Sequence, residues 1–201
     1  MYNILSKMKS ISSDRLDEIL SALAELLAAA SSRTHLVVIG GSGLVAIGAV
    51  TRPTRDVDVV ALKRDDELVT ARPLPAPVVA AAAIVARDFG LDPHWLNAGP
   101  TSLLDLGLPP GFQQRLITHS YGTSLEVSFA ARVDQIFFKL YAVADRREPR
   151  DVTDLQALNP TPEELRDAAR WTRTHNAPGP FDDALAHTLN DFGIEDEGRD
   201  V

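Results

Sequence analysis

Two aspartates one residue apart, Asp56-Val57-Asp58, open the apolar run from Val57 to Leu62. Side chains alternate along a strand, so this spacing puts both carboxylates on one face and turns Val57 and Val59 to the other. Adjacent like charges repel. A divalent cation offsets them, and Mg²⁺ in particular binds through one or two carboxylates together with the phosphates of a substrate. Without a cation the pair is simply an acidic strand edge facing solvent.

A second group precedes the acids. Gly40-Gly41-Ser42-Gly43 lies between an apolar strand and a short helical segment. In that position backbone amides and a helix start can cradle phosphate, and Ser42 can add a hydroxyl. The same glycines also suit a tight turn that needs positive φ. No Lys-Ser/Thr pair follows, which excludes a Walker loop, and the Gly-x-Gly-x-x-Gly spacing of a dinucleotide fingerprint is missing.

Further along, Lys139 shares a helical stripe with Ile136, Leu140 and Val143, a face that should point inward. A lysine there either snorkels to the rim or reaches a phosphate. Arg146, Arg147 and Arg150 follow, then Asp151 and Asp154, with Asp151 also suited to capping a short helix. The five histidines, His35, His94, His119, His175 and His187, show no metal-ligand spacing. They read as structural or surface residues, and Trp95 and Trp171 as packing residues.

These groups need elements to hold them. Leu16, Ile19, Leu20, Leu23, Leu26 and Leu27 recur at helical spacing and predict an amphipathic helix over 14–30, with Asp14 as N-cap. Leu36–Ile39 and Val57–Leu62 read as buried strands, and Leu44–Ala49 as a short helix after the glycine turn. Val78–Phe89 should be a helix stopped by Gly90, His94–Leu96 a short strand, and the rest of 91–111 irregular. Gly122-Thr123 between 115–121 and 124–129 signals a hairpin, with Glu126 pointing away from its apolar side. Helices are expected over 132–147, over 151–158 and from Pro160 to about Thr174, while the last 25 residues are weakly patterned. Strands interleaved with helices, followed by a helical finish, make an α/β (α+β) domain with a small mixed sheet.

Composition narrows the class. With 201 residues, 45% of them hydrophobic, the chain can build a real core. It lacks cysteine, which excludes disulfides, thiol catalysis and cysteine metal sites. The net charge of −8 argues against a surface positive all over, although a local basic groove is compatible with it. Glu195, Asp196, Glu197 and Asp200 hold part of that acid excess, in a tail expected to be flexible from about 190. No apolar stretch reaches the length of a membrane span. MYNILSKMKS lacks the features of a secretion signal, so a cytoplasmic, bacterial protein with no membrane partner is the expectation.

The order of the parts resembles a known superfamily. GGSGLVAIGAVTRPTRDVDVVAL resembles motif one of the polymerase-β-like nucleotidyltransferases. DQIFFKLYAVADRREPRDVTDL is similar to the later lysine and Asp-x-x-Asp-Leu motifs of the AbiEii and MenT-type toxin nucleotidyltransferases. LGLPPGF, the hairpin and LNPTPEEL extend the likeness over residues 35–170.

The resemblance implies a nucleotidyltransferase core over 1–130, with the helical part 131–201 completing the active site. It implies that Asp56 and Asp58 bind Mg²⁺, and that Gly40, Gly41 and Ser42 hold the triphosphate of an NTP co-substrate. Lys139 would contact phosphate or orient the nucleotide, with Asp151 at the edge of the site and Asp154 as a weaker candidate. Arg52 and Arg55 flank the acids and would steer the triphosphate or acceptor. Glu126 is the strand candidate for a third metal carboxylate.

By the same kinship the enzyme transfers NMP to RNA, with the tRNA 3′ end as acceptor. It would then be a toxin whose antitoxin partner could act by phosphorylating Thr54, two residues before Asp56. The same fold also accommodates a protein or small-molecule acceptor, or an inactive nucleotidyltransferase-like antitoxin or binding protein.

Overall fold

In the computed structural model, residues 9–175 and 179–195 are described; Asp196, Glu197 and Asp200 of the expected flexible tail lie outside them. The apolar stripe near the N-terminus becomes helix α1, Ser13–Ala29, burying Leu16, Ile19, Leu20, Leu23 and Leu27 on one face. Burying each such side chain contributes roughly 1.5–3 kcal/mol. Ser12, not Asp14, is the N-cap. Asp14 sits instead in the first turn, where its charge suits the helix dipole.

Six strands form a mixed sheet: β1 Thr34–Ile39, β2 Val57–Arg64, β3 Glu67–Val69, β4 Leu96–Asn97, β5 Ile117–Tyr121 and β6 Leu125–Phe129. Their order is β3-β2-β1-β6-β5, with β4 also paired to β2. β1 runs antiparallel to β2 and parallel to β6. The hairpin expected around Gly122-Thr123 forms between β5 and β6, with Ser124 joining the turn so that Tyr121 pairs with Leu125. Helix α2, Gly40–Ala46, follows β1, and helix α3, Ala76–Phe89, ends at Gly90 in the left-handed region. α1 and α3 pack together on one side of the sheet, closing a core with Leu36, Val38, Val57, Val59, Val127 and Phe129.

The pairing of β1 with β2 contains an irregularity. Leu36 lies opposite Leu62, but Val38 lies opposite Val59, so two steps along β1 match three along β2. Val60 is the extra residue of a β-bulge. Leu62 and Val59 therefore both enter the same core despite an odd separation, and Val57 joins them by ordinary alternation with Val59. Asp58, opposite Ile39, alternates onto the other face of the sheet.

Three elements escape the sequence pattern. β3 has only three residues. α4, Ser102–Leu106, lies in the segment expected to be irregular and buries only Leu103. The helix expected at 44–49 instead begins at Gly40. Packing against β1 and β2 outweighs the poor helix propensity of its glycines.

The chain divides into two compact units. The unit just described runs to Leu108 and resumes at Gln113–Ala130; the other comprises Pro109–Phe112 and the residues from Ala131 onward. In the second, helix α5, Arg132–Arg146, packs with α6, Pro149–Ala157, α7, Pro162–Arg173, and α8, Pro180–Asp191. α7 starts with a capping box in which Thr161 and Glu164 satisfy each other's backbone amides. α8 falls where the sequence is weakly patterned, because it is anchored by only a few buried residues, among them Leu185, Ala186 and Leu189. Trp171 packs edge-on against Phe137, Phe138 and Tyr141, and stacks on His175 at 4.1 Å. Among the described residues no helix is long and apolar enough to cross a membrane.

Candidate active site

Asp58 is the best-defined part of the acidic pair. It stands at the start of β2, flanked by Ile39 of β1 on one side and Asn97 of β4 on the other. The Asn97 amide donates to Asp58 Oδ1 at 3.0 Å. Asp58 Oδ2 lies against Gly40, so close that a Cβ on Gly40 would stand 2.8 Å from it. Gly40 also has φ +74°, a conformation strained for any other residue. The glycine is needed here on both counts. The first residue of the Gly-Gly-Ser segment thus leaves the space that the carboxylate occupies.

Asp56 is held from its own loop. Thr54 Oγ1 donates to Asp56 Oδ1 at 3.1 Å. Thr54 is itself fully buried, and its backbone exchanges two hydrogen bonds with Ile11. In this conformation the Thr54 hydroxyl is packed inside the fold against Asp56. Its visible work is to orient Asp56. Arg55 is exposed beside the acids and Arg52 is half-buried.

Ser42 is fully buried in α2, and its hydroxyl has no hydrogen-bond partner. A buried hydroxyl without a partner costs about 1–3 kcal/mol, so this is a donor suited to a ligand oxygen. Among the described residues no three His, Cys, Asp or Glu side chains cluster to hold a metal by themselves. The donor set is therefore two carboxylates, a glycine cradle and a buried hydroxyl. Mg²⁺ fits such a set, because it completes its shell with water and substrate phosphates.

The later motif folds into the helical unit as a buried ion cluster. Lys139 Nζ lies 2.8 Å from Asp151 Oδ1 and 2.7 Å from Asp154 Oδ2, and Arg146 adds 2.8 Å to Asp151 Oδ2. The side chains of Lys139, Asp151 and Asp154 are 7%, 5% and 0% exposed. Lys139 therefore neither snorkels nor presents a bare charge to phosphate. Its ammonium is matched by two carboxylates of α6, which ties α5 to α6. Asp151 is not a cap either, since Glu148 is the N-cap of α6.

Glu126 does not join the acids. It lies opposite His35 on β1, four residues from Ile39 and hence roughly 13 Å along the strand from the Asp58 pairing. There it pairs with His35 Nδ1 at 3.1 Å, while His35 Nε2 meets Ser128 Oγ at 2.6 Å. Burial holds the His35 imidazole below its ordinary pKa, against the opposing pull of Glu126. Burial and a hydrogen bond to Asp17 push the Tyr121 phenol upward. The residue that sequence reasoning missed at the site is Asn97. Its only signal was a place just after the short strand expected at His94–Leu96, which the structure shifts to Leu96–Asn97.

A small mixed sheet with an Asp-x-Asp pair set against a Gly-Gly-Ser helix start defines a nucleotidyltransferase-like α+β protein. Residues 14–161 match the family described as "Nucleotidyltransferase of unknown function (DUF6036)", and the chain belongs to that family. The match spans α1, all six strands and the Lys139 cluster, ending where α7 begins. No curated protein matches the sequence. Membership makes the chain a member of a transferase class whose acceptor is open.

Proposed function

We propose that this protein is a Mg²⁺-dependent enzyme that transfers NMP from an NTP to an RNA hydroxyl, with the tRNA 3′ end as acceptor. The observation that carries the reading is the seating of Asp58 against Gly40, which joins that acid to the Gly-Gly-Ser segment in one place. In the reaction an acceptor hydroxyl oxygen bonds to the α-phosphorus. The bond from that phosphorus to the β-phosphate breaks, pyrophosphate leaves, and the hydroxyl proton passes to solvent.

Asp56 and Asp58 would hold the metal, which when bound neutralises charge on the phosphates. Thr54 keeps Asp56 turned toward it, and Asn97 does the same for Asp58. Gly40 and Gly41 let the triphosphate approach the backbone, and Ser42 supplies a hydroxyl donor. Arg52 and Arg55 lie next to the acids in the chain and would meet the triphosphate or the acceptor. The toxin role and its antitoxin rest on the resemblance in the sequence.

The test is label transfer from each α-labelled NTP to total tRNA, with Asp58→Asn as control. Label on RNA that disappears in the variant supports the reading and names the nucleotide. Metal-dependent NTP binding with no labelled RNA moves the acceptor to a protein or a small molecule. Neither binding nor transfer refutes the enzyme reading and favours a binding protein on the same fold.

A further inference from the structure

Resting on the metal-site reading, we infer that Asn97 is the positioning residue that fixes one oxygen of Asp58 for the cation. β4 contains only Leu96 and Asn97, and lies off the main strand order. Its pairing with β2 covers Val57 and Asp58 and nothing more. So short a strand adds little to the sheet by itself. What it does add is a side chain directly beside Asp58.

The orientation of that side chain is set from behind. Asn97 Oδ1 accepts from the Gly99 amide at 2.8 Å. With its oxygen engaged there, the amide nitrogen must face the carboxylate, and it donates to Asp58 Oδ1 at 3.0 Å. Gly99 leaves room for this turn, because a Cβ there would stand 2.9 Å from Asn97 Oδ1. Asp58 is thereby bracketed by the Asn97 amide at one oxygen and the Gly40 hollow at the other.

A carboxylate oxygen can accept an N–H and still coordinate a cation. Outer partners of this kind orient metal-binding carboxylates, and losing one typically weakens metal affinity about 10–100-fold. An asparagine suits the place better than a third acid. It orients Asp58 without adding another negative charge to a pair that already repels.

The experiment is a Mn²⁺ titration followed by EPR, with and without pyrophosphate, on wild type, Asn97→Ala, Gly99→Ala and Asp58→Asn. Thermal melting is recorded on each. Asn97→Ala should bind Mn²⁺ about 10–100-fold more weakly while its melting temperature stays near that of wild type. Gly99→Ala, which leaves Asn97 in place but crowds it, should move affinity the same way by less. Wild-type Mn²⁺ affinity in both variants overturns the proposal, even if their melting temperatures fall. A wild type that binds Mn²⁺ no better than Asp58→Asn removes the metal-site reading, and this proposal falls with it.

Discussion

Replacing Lys139 with methionine keeps the length of the side chain and removes its charge. Asp151 and Asp154 then both lose the ammonium, while Asp151 keeps Arg146, whose side chain is 57% exposed. Removing one member of a buried ion pair typically costs about 3–5 kcal/mol, because the remaining charge has lost its compensation. For a chain of this size each kcal/mol lowers the melting temperature by about 2–4 °C, so Lys139→Met should melt roughly 6–20 °C lower.

The two tryptophans allow a local assay, since Trp95 belongs to the sheet unit and Trp171 to the helical unit. In a Trp95→Phe background, Trp171 fluorescence during urea unfolding reports on the helices that contain the cluster. Comparing Trp95→Phe with Trp95→Phe/Lys139→Met isolates the effect of the ammonium. Adding Asp154→Leu to the second variant should recover most of the loss, since well-packed apolar replacements of buried ion pairs are often neutral. A Lys139→Met variant within about 1 kcal/mol of its parent would refute the bracing role, that being the range of an exposed pair.

Other substitutions test the sheet unit. Gly40→Ala puts a side chain at φ +74° and against Asp58 Oδ2, so calorimetry should show a loss of about 1–3 kcal/mol. Its Mn²⁺ affinity should fall as well. His35 has its pKa lowered on folding, so the unfolded chain binds the proton more readily. Its contribution is complete above about pH 6.5 and is lost as pH falls through the lower folded value. Urea midpoints between pH 5 and 8 should thus drop on the acid side, and His35→Gln should flatten that drop.

The strongly periodic parts were legible in the sequence. α1 shows its stripe of leucines and isoleucine, α3 stops at Gly90, and Gly122-Thr123 lies in the hairpin turn. The acids and the glycine segment were legible as chemistry, but their junction was not. Nothing in the residue types says that Gly40 leaves space for Asp58 or that Asn97 arrives from a distant two-residue strand. Lys139 shows the limit most plainly. Its place on an apolar stripe said nothing of its ion-pair partners, because Asp151 and Asp154 come from the next helix. Glu126 was in a strand as required, yet the parallel register with β1 sets it at the opposite end from the acids.

The bulge at Val60 makes β2 behave like a text with a reading frame. Upstream of it, Val57 and Val59 face the core; downstream, Leu62 does. Pair β2 regularly from Leu62 with Val60 drawn into the ladder opposite Val38, and Asp58 would turn inward while Val57 and Val59 moved outward; deleting Val60 would instead leave Val59 opposite Val38 and Asp58 opposite Ile39. A bulge that carries no chemistry decides on which side of the sheet Asp58 stands. What holds the carboxylate there is that position 60, whatever its side chain, stays out of the pairing with β1.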